Sequence, residues 1–459
     1  MVFLCSMKKL VILTGIYLLL STTVNSQHIR RRAFMGTALI NVNDSIAKAN
    51  QMTETYGILI QTVLDGGTGK KAGLQCGDIL ININNQKITS KGMFLQLISK
   101  MKEGDEIHFE FFRNGTLMKT KSKILSPSKD NYDFADVVYD EIPFQGGFLR
   151  NIIVAPKGVK KAPVIFFIQG YTCVSIDNLG PDNPYEKIIV ELVKKGYAVF
   201  KTEKPGMGDC TGTAACEDID FYTELNAFET AYQTIPKYSF LDTSQIYIFG
   251  HSMGGVIAPL IKRIPEAKGI AVYGTVTRSW FEYFIEQARF QQIYAGEDYV
   301  DNQANFLSRL KFNYEFLIDK KSLAELAKDS SMYAYLQQEW QWNPNIPDKM
   351  SGRNYKFWQQ LQDVNLIKGW AEYSGKALAI WGENDFVAFS RTDHEWIADI
   401  INHYHPGNGK FVSIPNSDHA FTYNQSMKQA VENWTNGAYR KKNFNPAILK
   451  TLEIWLKEN

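Results

Sequence analysis

The stretch Gln245–Gly255, QIYIFGHSMGG, decides the fold. Ile246 to Phe249 have strand character and run straight into Gly250-His251-Ser252-Met253-Gly254-Gly255, a G-x-S-x-G pattern. A serine in such a pattern sits on a sharp turn between a strand and a helix, with its hydroxyl lifted above the sheet edge. Glycine at 250 and 254 removes the Cβ that would collide with neighbouring backbone in so tight a turn. The apolar run Val256–Ile261 predicts a buried helix over Gly255–Ile264. The helix start would set Ser252 and the Met253 N–H where partial positive charge collects. Ser252 is therefore a candidate nucleophile; the plainer alternative is a glycine-rich turn with an incidental serine.

Working outward, strands and helices alternate. Asp133–Gln145 and Gly147–Ala155 read as an antiparallel pair, and Pro163–Ile168 (PVIFFI) as a strand buried on both faces. Helical Pro184–Lys195, strand Tyr197–Thr202 and helical Asp218–Ile235 precede the central strand, and strand Gly269–Tyr273 follows it. This order implies a mostly parallel sheet with helices on both faces. The alternation stops over Thr277–Tyr373, a run of aromatic-rich helical segments such as RSWFEYFIEQARF. It resumes at Lys376–Trp381 and Lys410–Ile414 and ends in an amphipathic helix over Pro446–Lys457. An insert of about 276–373 between two sheet strands is expected to sit over the strand ends as a helical cap.

A serine needs a base to take its proton, and the base needs a third group to orient it. Asp385 follows the strand ending at Trp381, and His419 follows the strand ending at Ile414. Both are expected on loops at the carboxyl ends of strands, beside Ser252. Glu383 and Asp418 are competing acids. His394, His403 and His405 belong to a helix over Thr392–His405 and are read as surface residues, and His251 as a flank of the turn. The segment 133–459 resembles the α/β-hydrolase superfamily, nearest its serine-aminopeptidase-like and acyl-esterase-like branches. That resemblance implies a Ser252–His419–Asp385 triad. Backbone N–H donors at Tyr171 and Met253 would meet the developing oxyanion. Gln169 stands where many relatives have His. The loop Glu203–Asp209 is expected to shape the rim, and no metal or organic cofactor is implied.

The region 33–126 reads as a separate small module, with strands at Ile58–Val63, Ile79–Ile83 and Ile107–Phe112 and helical spacing over Met93–Lys100. KKAGLQCGDILININNQKI at Lys70–Ile88 and GDEIHFEFFRNGT at Gly104–Thr116 resemble a PDZ domain of the permuted bacterial kind attached to periplasmic high-temperature-requirement proteases. In that family a loop before the first strand holds a peptide's C-terminal carboxylate; Phe34, Met35, Gly36 and Thr37 occupy that place. The resemblance implies a C-terminal peptide or protein ligand, added along a sheet edge. The plainer alternative is a spacer domain. The polar segment 127–132 is the linker.

The chain of 459 residues is 45% hydrophobic and 21% charged, with a net charge of +2, an ordinary globular balance that gives no case for a nucleic-acid surface. Residues 1–26 read as a signal peptide: Lys8-Lys9, an apolar run Leu10–Leu20, and small residues before a cleavage near Ser26-Gln27. A secreted or periplasmic protein without a stable membrane span follows. Cys173, Cys210 and Cys216 fall on neighbouring loops, and one disulfide is expected among them, Cys210–Cys216 first and Cys173 as alternative partner. Glu282 and Glu286 share one face of a cap helix, where a carboxylate pair would capture a substrate amine; the plainer alternative is a solvated face. Trp280, Phe281, Tyr283 and Phe284 suit an apolar acyl or aryl group. The resulting expectation is a serine carboxylesterase, with an aminopeptidase-like amide hydrolase as alternative. A non-enzymatic PDZ scaffold with an inactive hydrolase fold is the alternative from another class.

Overall fold

The computed structural model describes residues 28–459 apart from 51 and 53. The signal-peptide segment 1–26 lies outside the described residues. The first unit is an antiparallel sheet of β1 (Thr37–Asn41), β2 (Ile58–Val63), β3 (Ile79–Ile83), β4 (Gln86–Lys87), β5 (Glu106–Arg113) and β6 (Thr116–Lys123), in order β1-β2-β3-β5-β6 with β4 on β3. Ile58, Ile60, Leu80, Phe109 and Phe111 form its core with Phe94 and Ile98 of the helix Lys91–Ser99. Ser90 starts that helix by accepting from Met93 N. β1, β4 and β6 were not foreseen; β6, TLMKTKSK, is an exposed edge with no apolar alternation to signal it.

The larger unit contains β7 (Ala135–Phe144), β8 (Gly147–Pro156), β9 (Ala162–Ile168), β10 (Ala198–Thr202), β11 (Leu241–His251) and β12 (Gly269–Tyr273). The insertion then contributes a two-residue hairpin, β13 (Lys349–Met350) and β14 (Arg353–Asn354), before β15 (Lys376–Gly382) and β16 (Gly409–Ile414). The eight-stranded order is β16-β15-β12-β11-β9-β10-β8-β7. Six strands are parallel, and β8 and β7 extend the sheet antiparallel at one edge. Apolar clusters cover both faces, which is why β9 and β12 read as unbroken apolar runs. Helix Ala447–Glu458 buries Ile448, Leu452, Trp455 and Leu456, spaced as one helical stripe. Gly269 makes room for it, because a Cβ there would stand 2.5 Å from the Trp455 ring. Together these features are the expected α/β-hydrolase architecture, preceded by a small PDZ-like β/α unit.

The helix after Ser252 is shorter than expected, Met253–Ile257. Pro259 brings no N–H to the ladder and disfavours helix in the residue before it. The carbonyls left open there are taken by the Arg263 guanidinium, which donates to Pro259 O at 2.9 Å and Ile261 O at 3.0 Å. Apart from the β13–β14 hairpin, the regular elements of the insertion are helices joined by short loops. Capping boxes at Ser279/Glu282 and Ser322/Glu325 start two of its helices, and π-helical turns interrupt it at Gln287–Gln291 and Tyr314–Ile318.

A short strap ahead of β1 lies on the larger unit. His28 N and Ile29 N donate to the Glu141 carboxylate, each at 2.7 Å. Arg31 pairs with Asp177 at 3.1 Å and Asp209 at 3.2 Å, all three buried, and Arg32 N donates to Asp209.

The disulfide joins Cys173 to Cys216, not the first-choice pair; Cys210 is free and buried. Nearness in sequence favoured 210–216. The intervening turns instead aim Cys210 at the backbone, its Sγ accepting from Arg150 N. The bridge spans 43 residues, a loop whose closure is worth about 4 kcal/mol in the chain-entropy picture. Cys173→Ala is expected to lower Tm by about 5–10 °C. Peptide mapping of unreduced protein should return the 173–216 pair, with Cys210 alkylated only after unfolding; a 210–216 peptide would refute it.

Candidate active site

Ser252 closes β11 with φ 56° and ψ −120°, a conformation a non-glycine residue holds only when its surroundings enforce it. The enforcement is steric. A Cβ on Gly250 would meet Gly254 O at 2.4 Å, and one on Gly254 would meet Ile168 O at 2.0 Å. Ser252 N donates to Tyr273 O at 2.9 Å, tying the turn to β12. Met253 opens the helix, where the first N–H groups have no intrahelical acceptor.

His419 and Asp385 come together as expected, with Nδ1 and Oδ2 2.9 Å apart. Asp385 is fully buried, and its Oδ1 accepts from Val387 N and Ala388 N. Burial alone would raise its carboxyl; the adjacent His419 and the Ala388 N–H outweigh that and hold it below the ordinary range. Gly274 lies against this pair at φ +59°, and a Cβ there would stand 2.7 Å from Asp385 Oδ2 and 3.0 Å from His419 Nδ1. Ser252 and His419 open on the same cavity, and among the described residues no hydrogen bond joins Ser252 Oγ to the imidazole. Glu383 is exposed and accepts from Ser413 Oγ. Asp418 is spent on its own loop, accepting from Ala420 N, Thr422 N and Asn424 Nδ2; burial pushes it up to about 6.

One histidine departs from its expected surroundings. His394 is wholly buried, not a surface residue: Nδ1 donates to Ser390 O in its own helix, leaving Nε2 to accept from Thr275 N at 3.0 Å. His251 is also buried, with Nε2 on His419 O at 2.8 Å and Nδ1 on Tyr185 OH at 2.6 Å. Tyr185 OH in turn accepts from Gly170 N. Burial first, then the neighbouring His419, push His251 down to about 3, so it remains a neutral spacer between the Gly170 loop and the His419 loop.

The loop after β9 packs on the serine. A Cβ on Gly170 would lie 3.3 Å from Ser252 Cβ and 3.7 Å from Ser252 Oγ. Tyr171, Ser252, Met253 and His419 all border a cavity of about 390 Å³ whose walls are mainly Val276, Trp280, Tyr283, Phe284, Trp340 and Trp358. A second cavity, about 290 Å³, opens on the other side of Ser252 against Leu179, Tyr185 and Phe421. The loop expected at the rim borders neither cavity: Glu203, Lys204, Pro205 and Asp209 are buried, and Gly206 is exposed. Glu282 and Glu286 are withdrawn from the cavity. Glu282 accepts from Ser279 N and Oγ, and Glu286 forms a two-pronged pair with Arg278 at 2.8 and 2.6 Å. Trp280, Tyr283 and Phe284 of the same helix face the cavity, while Phe281 does not border it.

In the first unit, Phe34, Met35 and Gly36 turn their carbonyls inward to Thr68 N, Gly69 N and Leu64 N, at 2.9, 3.0 and 2.7 Å. Gly36 has φ +63°, and a Cβ there would touch Gly67 Cα at 2.8 Å. Thr37 begins β1, an edge strand with one side unpaired in the sheet. The PDZ domain family model matches residues 33–124. Residues 33–124 form a PDZ domain. Two curated relatives each match part of the chain. One is "Probable periplasmic serine endoprotease DegP-like" from Marinomonas sp., 23% identical over 194 residues, 37% of this chain and 41% of that protein. The other is "Esterase EstD" from Thermotoga maritima, 24% identical over 190 residues, 40% of this chain and 45% of that protein. The chain thus spans less than half the length of these relatives. Among solved structures, Est1E from Butyrivibrio proteoclasticus with ferulic acid bound superposes with a TM-score of 0.41 at 18% identity, covering 66% of this chain and 98% of that one.

Proposed function

We propose that this protein is an exported serine hydrolase that cleaves carboxylic esters through an acyl-enzyme, with its PDZ domain docking a C-terminal peptide. The observation that carries this reading is the His419–Asp385 pair, 2.9 Å apart, beside the strained Ser252 turn. Ser252 Oγ attacks the ester carbonyl while His419 takes its proton. The charge formed on the carbonyl oxygen falls to the N–H groups of Tyr171 and Met253. Collapse breaks the bond to the alcohol, which leaves with the proton from His419. A water activated by the same imidazole then releases the acid. Asp385 holds Nδ1–H throughout and offsets the charge of the transient imidazolium.

An ester with an apolar acyl group suits the aromatic wall of the larger cavity. The engagement of Glu282 and Glu286 elsewhere leaves no carboxylate on that helix for a substrate amine. With the carbonyls of residues 34–36 turned inward and Phe34 N–H spent on Leu125 O, the Met35 and Gly36 N–H groups suit a carboxylate, and the free edge of β1 suits strand addition. Export is supported by the basic-then-apolar opening of the sequence and by the Cys173–Cys216 bridge, a bond of oxidising compartments. Among the described residues no helix is long and apolar enough to cross a membrane.

The test compares kcat/KM over p-nitrophenyl esters of rising acyl length with aminoacyl p-nitroanilides. Each methylene buried in the cavity is worth about 0.8 kcal/mol, about fourfold, so kcat/KM should climb with chain length until the cavity fills. A preference for free-amine amides, lost on Glu282→Gln or Glu286→Gln, would replace the esterase reading with an aminopeptidase one. Failure of Ser252 to take a fluorophosphonate would favour the scaffold.

A further inference from the structure

Beneath the loop after β9 lies a buried charge cluster that the mechanism above does not use. Lys204 follows β10, Glu224 lies in the helix Phe221–Tyr232, and Arg353 belongs to β14 of the cap. All three are buried, none more than 1% exposed. Lys204 Nζ stands 2.8 Å from Glu224 Oε1, and Arg353 Nη2 donates to Glu224 Oε2 at 2.5 Å. Each cation has a second target. Lys204 Nζ donates to Gly170 O at 2.5 Å, and Arg353 Nη1 donates to Tyr171 O at 2.6 Å.

Resting on the reading of Tyr171 N–H as an oxyanion donor, we propose that Lys204 is a positioning residue that polarises the Gly170–Tyr171 peptide, with Arg353 holding the next peptide, Tyr171–Thr172, in place from the cap. Gly170 C=O and Tyr171 N–H belong to one amide. A cation drawing electron density toward the carbonyl oxygen makes the N–H at its other end a stronger donor. Charge-assisted bonds of this kind are about twice as strong as neutral ones. The cluster of two cations and one carboxylate carries a net positive charge, the sign that favours negative charge forming above Ser252. A buried ion pair is weak evidence of stability on its own account. Here both cations spend donors on consecutive carbonyls of one loop, and that loop touches Ser252.

The polarisation acts in the transition state, so it belongs to kcat and not to KM. It also depends on the charge of Lys204. The charged groups facing its ammonium are Glu224 and Arg353; the loop after β9 presents a carbonyl. Burial foremost pushes Lys204 down to about 8, with Glu224 opposing that and Arg353 adding to it. As pH rises through that value the cation is lost and kcat should fall. Glu224→Gln removes the one group that raises the Lys204 value, so the fall should move to lower pH.

The test measures kcat and KM for p-nitrophenyl butyrate against pH, and the rate of fluorophosphonate labelling, in wild type, Lys204→Met and Glu224→Gln. Expected are a kcat loss of about tenfold or more in Lys204→Met at little changed KM, no alkaline fall in that variant, and an acid-shifted fall in Glu224→Gln. If Lys204→Met does not fold, the Glu224→Gln profile decides. Wild-type protein that neither turns over the ester nor labels at Ser252 would overturn the reading on which this rests. Wild-type protein that does both, beside full kcat in Lys204→Met or an unshifted profile in Glu224→Gln, would overturn the role of Lys204 alone.

Discussion

Ser252→Ala protein is expected to fold normally, keep its Tm within about 1 °C, and lose turnover of p-nitrophenyl butyrate by ~10⁴-fold or more. The strained turn is imposed by Gly250 and Gly254 and by the bond from the residue 252 N–H to Tyr273 O, none of which needs the hydroxyl. Alanine therefore removes the reacting atom and little else. His419→Ala should cost a comparable factor, and the double variant no more than either single one, because members of such a unit are not additive. Independent, multiplying losses would mean that Ser252 and His419 do not act on the same bond.

Asp385→Asn should lower kcat by roughly 10⁴-fold while leaving KM nearly unchanged. Asparagine can still fill the site, but its amide nitrogen offers a donor where the carboxylate accepted, so it favours the wrong imidazole tautomer. The carboxylate's two N–H donors, from Val387 and Ala388, are matched to an acceptor as well. Glu383→Gln serves as the comparison. Its exposed side chain reaches only Ser413 Oγ, so kcat should stay within about twofold of wild type, as for most surface changes. A large loss at 383 and none at 385 would reassign the acid.

How much could be read in the chain follows from how far each interaction reaches. The turn around Ser252 is local, and its glycines answer contacts within a few residues of β11 and the end of β9. Asp385 and His419 were legible because each directly follows a strand whose apolar run fixes its place at the sheet edge. The Lys204–Glu224–Arg353 cluster was not, because Glu224 and Arg353 are 129 residues apart and meet only once the cap folds back over the sheet. Helical periodicity placed His394 on a helix but could not say which neighbour covered that face; residues 275–278 do, through Thr275, Thr277 and Arg278. Sequence spacing favours Cys210–Cys216 over the Cys173–Cys216 bridge, and it carries no sign that Cys210 Sγ faces Arg150 N instead. Pro259 marks the stop of the helix after Ser252, inside an apolar run that by itself reads as helical to Ile264.

The strap at residues 28–32 changes what kind of appendage the PDZ domain is. By chain order it precedes the hydrolase unit; by attachment it is a guest domain moored at both ends. One mooring is the linker into β7, and the other is Arg31 between Asp177 and Asp209. A load applied to the PDZ domain is thereby shared between two lines instead of swinging on one hinge. A hydrolase unit cut free at residue 133 would leave those two carboxylates without the guanidinium that sits between them. The two units of this protein are thus modular in sequence and joined in mechanics.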